Sequence, residues 1–262
     1  GGYTLATLLG HLVAIDNRKV NSATFLVTVL DTSQKTMFSM FSSKSAITAA
    51  IRRSRSKGIL DGREMARAFA WLRPNDLVYL FVANNWVMGN DPPAFDILYW
   101  NADSTRLSGD FHADLLSLYL HNPLVSPGKL EALGTPIDLS KVNIDSFVLA
   151  GITDHITPWK ACYQTLSVLG GKKEFVLSSS GHIQSIVNPP GNPKAKFFMN
   201  QEQPDNAEEW FDGATENAGS WWDYWFEWIR ERSGAQRKAP ETPGSETWPA
   251  GDKAPGRYVH QR

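Results

Sequence analysis

Apolar positions along the chain follow two periods, and their order predicts an alternation of helices and strands. Leu5, Leu8, Leu9, Leu12 and Val13 recur at helical spacing behind Gly1–Gly2, which predicts a tight turn opening an amphipathic helix. Residues 23–30 (ATFLVTVL) form a continuous apolar run that stops at Asp31, the signature of a buried strand. Residues 43–122 show no clean alternation, are rich in Arg, Trp and Phe, and read as mainly helical. Residues 134–142 lead back to apolar runs at 147–151 and 173–177, two short strands separated by helical spacing over 158–170. Over 206–232, Trp221, Trp222, Trp225, Phe226, Trp228 and Ile229 fall in a stripe roughly 160° wide on a helix, with Asp223, Tyr224, Glu227 and Arg230 opposite. From residue 233 the chain is rich in Pro, Gly and charge and reads as an extended tail.

Two successive parallel strands deliver their C-terminal ends to one sheet edge, the edge where α/β enzymes hold their chemistry. Asp154 follows the strand at 147–151, and His182 follows the strand at 173–177 after a Ser–Gly turn, 28 residues later. An acid and then a histidine in that order match the last two members of an α/β-hydrolase triad. The reading is therefore an α/β-hydrolase-type core whose N-terminal strands lie outside the chain, with a helical cap inserted over the active edge. Its parts are core at 1–42 (elbow helix and strand), cap at 43–122, core with the Asp and His loops at 123–200, a Trp-rich helix at 201–232 and a tail at 233–262.

Composition narrows the chemistry. A length of 262 residues suits one large domain or a core with an inserted subdomain, and 42% hydrophobic residues suffice for a packed interior. The near balance of 26 basic and 27 acidic residues argues against a nucleic-acid partner. The single cysteine, Cys162, excludes an internal disulfide framework and a multi-cysteine metal site, and suits a reducing cytoplasm. No apolar run reaches the roughly 18–20 residues of a membrane span. The opening GGYTLATLLGHL has neither an initiator Met nor a charged leader, and reads as a chain cut from something longer.

Among the candidate groups, a strand-end carboxylate at Asp154 can fix the tautomer of His182 and stabilise its imidazolium. Against this stands a loop-capping Asp and a structural His; spacing and order together favour catalysis. His155, adjacent to Asp154, is a structural or supporting residue. Cys162 lies in phase with Trp159, Leu166 and Leu169 on a core face, where a thiol is an inert small hydrophobe. A hydrolase nucleophile belongs on the strand-to-helix elbow, and Gly1–Gly2 occupy the position just after such an elbow. The basic run Arg52–Arg55 (RRSR) could meet phosphates, though a solvated helix face is the simpler reading. The Trp-rich stripe reads as packing ahead of contact with a partner.

Longer motifs now carry a family resemblance. GGYTLATLLGHL, RRSRSKGILDGREMARAFAWLRPNDL, PPAFDILYWNADSTRLSGDFH, GTPIDLSKVNIDSFVLAGITDHITPW, SSSGHIQSIVNPPGNPKA and the terminal APGRYV resemble the C-terminal portion of the polyhydroxyalkanoate synthases nearly end to end. In that family a G-x-C-x-G-G motif supplies a nucleophilic cysteine. Gly1 and Gly2 match its last two glycines, so the nucleophile is expected two residues before Gly1 and none lies within this chain. The resemblance implies Asp154 as catalytic acid, His182 as catalytic histidine and Trp100 as a cap tryptophan at the site and a homodimer contact. It implies a 3-hydroxyacyl-CoA substrate, a growing polyester product, a cytoplasmic place at the granule surface, and no cofactor or metal. His182 would deprotonate the cysteine, and His182 or Asp154 would activate the 3-hydroxyl that extends the polymer. Alone, the chain is expected to be inactive. The alternatives are an esterase or polyester depolymerase of the same fold with a serine at the elbow, and a non-catalytic granule-associated relative.

Overall fold

The structure is a computed structural model that describes residues 1–34, 36, 39, 42–72, 74–92, 105–253, 256 and 257. Trp100 lies outside the described residues. Helix α1 (Gly2–Ala14) leads into strand β1 (Ser22–Leu26). Strand β2 (Asp145–Gly151), helix α5 (Trp159–Val168) and strand β3 (Lys173–Ser178) follow a helical segment that contains α2 (Lys44–Lys57), α3 (Gly62–Leu72) and α4 (Gly109–His121). Helix α6 (His182–Ile186), strand β4 (Lys196–Met199), helix α7 (Ala207–Asp212), strand β5 (Thr215–Ala218) and helix α8 (Trp221–Arg230) complete the order.

The five strands form one mixed sheet in the order β1-β2-β3-β4-β5. β1, β2 and β3 run parallel, in register Phe25↔Val148↔Phe175, and β4 and β5 add antiparallel strands beyond β3. Alternate residues of the buried strands feed opposite faces. Val148, Ala150, Phe175 and Leu177 pack with Ala6 and Leu9 of α1 and Cys162 and Leu166 of α5. Phe147, Leu149 and Val176 pack with Trp221 and Trp228 of α8. Both faces of the parallel strands are thus covered, which explains why β2 is an unbroken apolar run rather than an alternating one.

Three features differ from the sequence expectation. The strand predicted over 23–30 closes at Leu26, because Val27 takes a positive φ of 43° and turns the chain out of the sheet. The turned segment is held by Thr165 of α5, whose Oγ1 donates to Thr28 O at 3.0 Å and accepts from Leu30 N at 3.2 Å. The helical segment expected over 206–232 is two helices with β5 between them. β5 (TENA) is short, polar and at the sheet edge, so burial leaves no apolar mark on it. Finally, the stripe on α8 is displaced: Tyr224, assigned to the outer face, packs against Phe147 with ring centroids 6.3 Å apart, while Phe226 is 53% exposed. Trp221 and Trp228, seven residues apart, set the phase by anchoring on the sheet.

The segment between β1 and β2 is mainly helical among its described residues. Ser43 and Ser108 cap α2 and α4 by accepting from Ala46 N and Phe111 N. Two π-helical turns, Asn75–Tyr79 and Val82–Val87, follow α3. Within the RRSR run, Arg53 pairs with Glu64 at 2.8 Å and Arg55 with Asp110 at 3.1 Å, both near solvent. α4 is tied back to the core where Asn122, its left-handed C-cap, donates to Asp31 Oδ1 at 2.7 Å. No described helix is long and apolar enough to cross a membrane.

Candidate active site

β2 and β3 are parallel neighbours paired through Gly151↔Ser178, so the loops that follow them leave the sheet side by side. Asp154 sits in the first loop and His182 opens α6 after the second. His182 Nδ1 lies 2.7 Å from Asp154 Oδ2. The Asp154 side chain is fully buried and that of His182 is 26% exposed, so the carboxylate lies behind the ring and the ring faces solvent.

The Asp154 loop is built around its carboxylate. Oδ1 accepts from Ile156 N at 2.8 Å and Thr157 N at 2.9 Å, and Oδ2 accepts from Thr157 Oγ1 at 2.7 Å as well as from His182. Burial would raise the carboxyl, but the hydrogen bonds from His182 and from the Thr157 backbone and hydroxyl outweigh it and hold Asp154 below the usual carboxylate range. Asp154 is therefore an anion with its lone pairs occupied, oriented to receive the Nδ1 proton. Thr157 Oγ1 is also 3.2 Å from His182 Nδ1, which makes Thr157 a third member of the cluster. It escaped the sequence reading. Its one signal is local: Asp followed three residues later by Thr is a spacing at which side chains fold back onto loop backbone.

Close packing beneath the two loops accounts for Gly151. A Cβ there would come within 2.4 Å of Ser185 Oγ and 2.6 Å of Ser180 O, so only glycine lets the His182 segment settle on the end of β2. Gly2 plays the same part for α1, since a Cβ on it would lie 2.1 Å from Thr28 Cγ2.

His182 opens onto a cleft of about 440 Å³. Gly1, Gly2, Tyr3, Val27, Thr28, Tyr119 and Thr157 are among its lining. The N-terminus of α1 and the bend at Val27 thus face the same space as the imidazole, and Tyr119 is the contribution of α4. Burial, with the phenol of Tyr119 and the carboxylate of Asp31 adding to it, pushes the Tyr3 hydroxyl up to about 12.

The remaining sequence candidates fall elsewhere. His155 is half-buried in the turn between Asp154 and Thr157. Cys162 is 0% exposed on α5, with Sγ donating to Thr157 O at 3.5 Å. Burial and the nearby Asp154 carboxylate push its thiol far above its ordinary value, the reverse of what a thiolate nucleophile requires. Among the described residues no group of three or more His, Cys, Asp or Glu is placed to hold a metal ion.

Parallel strands within a mixed sheet, with Asp and His loops at one edge in this chain order, are the arrangement of the α/β hydrolases. The family model described as the alpha/beta hydrolase fold matches residues 1–189, and the chain belongs to that family. Curated relatives sharpen the likeness. The chain is 50% identical over 262 residues to Poly(3-hydroxyalkanoate) polymerase 1 of Ectopseudomonas oleovorans, covering 100% of this chain and 47% of the relative. It is 40% identical over 265 residues to Poly(3-hydroxyalkanoate) polymerase of Methylorubrum extorquens, covering 100% and 43%. It is 37% identical over 267 residues to Poly(3-hydroxyalkanoate) polymerase subunit PhaC of Cupriavidus necator, covering 99% and 45%. The motif-based resemblance therefore extends over the whole chain, and the chain spans about half the length of the curated relatives it matches.

Proposed function

We propose that this chain forms the Asp–His part of a polyhydroxyalkanoate synthase, an acyltransferase that joins 3-hydroxyacyl units from CoA thioesters with release of CoA. The observation that carries this reading is the His182 Nδ1–Asp154 Oδ2 contact of 2.7 Å beside the Gly1–Gly2 end of α1 in one cleft. With Nδ1 committed to the carboxylate, Nε2 is the nitrogen left for proton transfer. A nucleophile two residues before Gly1 would stand at the start of α1, where the helix dipole favours an anion. His182 takes the proton from that cysteine, and the thiolate attacks the thioester carbonyl of a 3-hydroxyacyl-CoA. The C–S bond to CoA breaks, and the proton on His182 goes to the departing CoA thiolate. For elongation, the 3-hydroxyl of one unit gives its proton to His182 as its oxygen attacks the thioester of the next. The C–S bond of the attacked thioester breaks, His182 gives its proton to the departing thiolate, and one ester bond forms per step.

The exposed apolar side chains of the segment between β1 and β2 support the rest of the reading. Trp86 is 87% exposed, and Val87 and Met88 are also open. Such a surface suits a homodimer partner or a growing apolar polyester. By resemblance, Trp100 is the cap tryptophan of the site and of the homodimer contact. A cytoplasmic site at the polymer surface follows from the same proposal.

The test is CoA release from 3-hydroxybutyryl-CoA by the full-length protein, followed as free thiol. Substituting either His182 or the residue two before Gly1 should abolish release. Sustained release by a protein lacking both would overturn the assignment. Ester hydrolysis without polymer would instead favour the esterase alternative.

A further inference from the structure

His182 is the first residue of α6, a helix of only five residues, and so short a helix cannot satisfy its own C-terminal carbonyls. Two residues at the start of α8 satisfy two of them from outside, and Ser220 beside them holds a carbonyl just past the end of α6. Trp221 Nε1 donates to Ser185 O at 2.6 Å, Trp222 Nε1 donates to Ile186 O at 2.9 Å, and Ser220 Oγ donates to Asn188 O. Ser220 Oγ also accepts from Trp222 N, so the cap that starts α8 and the grip on α6 are one network. The carbonyls of Ser185 and Ile186 lie one helical turn from His182. On the other side of α6, Ser185 Oγ donates to Ser180 O at 2.8 Å over the close contact at Gly151.

We infer that Trp221 and Trp222 are positioning residues that hold His182 in register with Asp154 through the carbonyls of α6, resting on the role proposed above for His182. Trp221 and Ser220 are each 3% exposed, so water is kept from the carbonyls of Ser185 and Asn188, while the bond from Trp222 to Ile186 O is part-buried. A buried acceptor that loses its donor must find another partner, and here it can do so only if α6 turns or frays. Either motion moves the imidazole away from a carboxylate that is itself fixed by three other donors, Ile156 N, Thr157 N and Thr157 Oγ1. The aromatic rings alone do not explain the arrangement. Trp221 already stacks on Phe147 at 6.1 Å, a contact a phenylalanine could make without an N–H.

The experiment uses the full-length protein with Trp221→Phe and Trp222→Phe combined, which removes both N–H donors and keeps an aromatic ring at each position. Trp222→Phe alone and Ser220→Ala serve if the double variant does not fold. Trp225→Phe is the control, since its indole donates to Thr24 Oγ1 at 3.0 Å and not to α6. The double variant should lower kcat for CoA release by about tenfold to a hundredfold with KM changed by less than about twofold, the mark of a misplaced catalytic group. Amide exchange in the peptide spanning 179–190 should rise about tenfold or more while β2 and β3 keep their protection. Trp225→Phe should leave exchange in that peptide unchanged. Unchanged exchange at 179–190 in the double variant overturns the inference whatever the activity. Wild-type kcat in the double variant, with His182→Ala inactive, also overturns it and leaves the role of His182 standing. Full activity of His182→Ala would sink that role, and exchange would then decide the grip on α6 by itself.

Discussion

Replacing Asp154 with Asn separates charge from shape. The amide oxygen can still accept from Ile156 N and Thr157 N, yet the group facing His182 Nδ1 loses its charge and the tautomer is no longer imposed. In the full-length protein kcat should fall by about three to four orders of magnitude with little change in fold. The same substitution reports on stability. A carboxyl group held below its ordinary value of 3.8 stabilises the fold fully above that value and loses its contribution as pH falls through the lowered one. The difference in melting temperature between wild type and Asp154→Asn should therefore be flat near neutral pH and shrink below about pH 4. Thr157→Val removes the hydroxyl donor to Oδ2 and leaves a buried acceptor short of one bond, which should cost about 1–3 kcal/mol by urea denaturation. Cys162, by contrast, should resist iodoacetamide in the native protein and label only on unfolding, as peptide mapping would show. Labelling at the rate of a free thiol would make it a candidate nucleophile.

At the level of elements, α8 should carry a large share of stability because it seals one face of the sheet. Trp228 lies edge-on to Phe147 at 5.4 Å and under the guanidinium of Arg232 at 4.2 Å, so Trp228→Ala should destabilise by about 3–5 kcal/mol. What was legible in the sequence follows the same logic of burial. β2 and β3 show as apolar runs because both of their faces are covered, and the Asp and His loops were found because each follows such a run. β4 and β5 left no comparable signal: β5 is an exposed edge, and its pairing is specified by β4 rather than by its own four residues. The turn at Val27 was unreadable for another reason. A β-branched residue at φ 43° contradicts local preference, and only the Thr165 hydrogen bonds and the cleft explain it. The phase of α8 was set by tertiary anchors, which a wheel drawn from sequence cannot weigh.

For the molecule as a whole, the run of exposed apolar side chains around Trp86 is, among the described residues, one surface that a single copy leaves open to solvent. If it serves a second copy, Trp86→Glu in the full-length protein should shift the mass seen by light scattering from dimer toward monomer while leaving the melting temperature close to wild type, because the side chain is 87% exposed. An unchanged mass would move that surface to another role.

The family model ends at residue 189, yet side chains from 220 to 228 grip the helix that begins at His182 and seal the face beneath it. Exchange of segments between relatives thus has a natural seam that sequence similarity to the family does not mark. A crossover near residue 190 separates the His182 loop of this chain from the indoles of Trp221 and Trp222 that hold it. A crossover after Ser233, where the chain leaves the fold, keeps loop and grip from the same parent. Libraries of chimeras should show the difference directly: soluble, active members should be enriched among those that inherit residues 145–232 as one block.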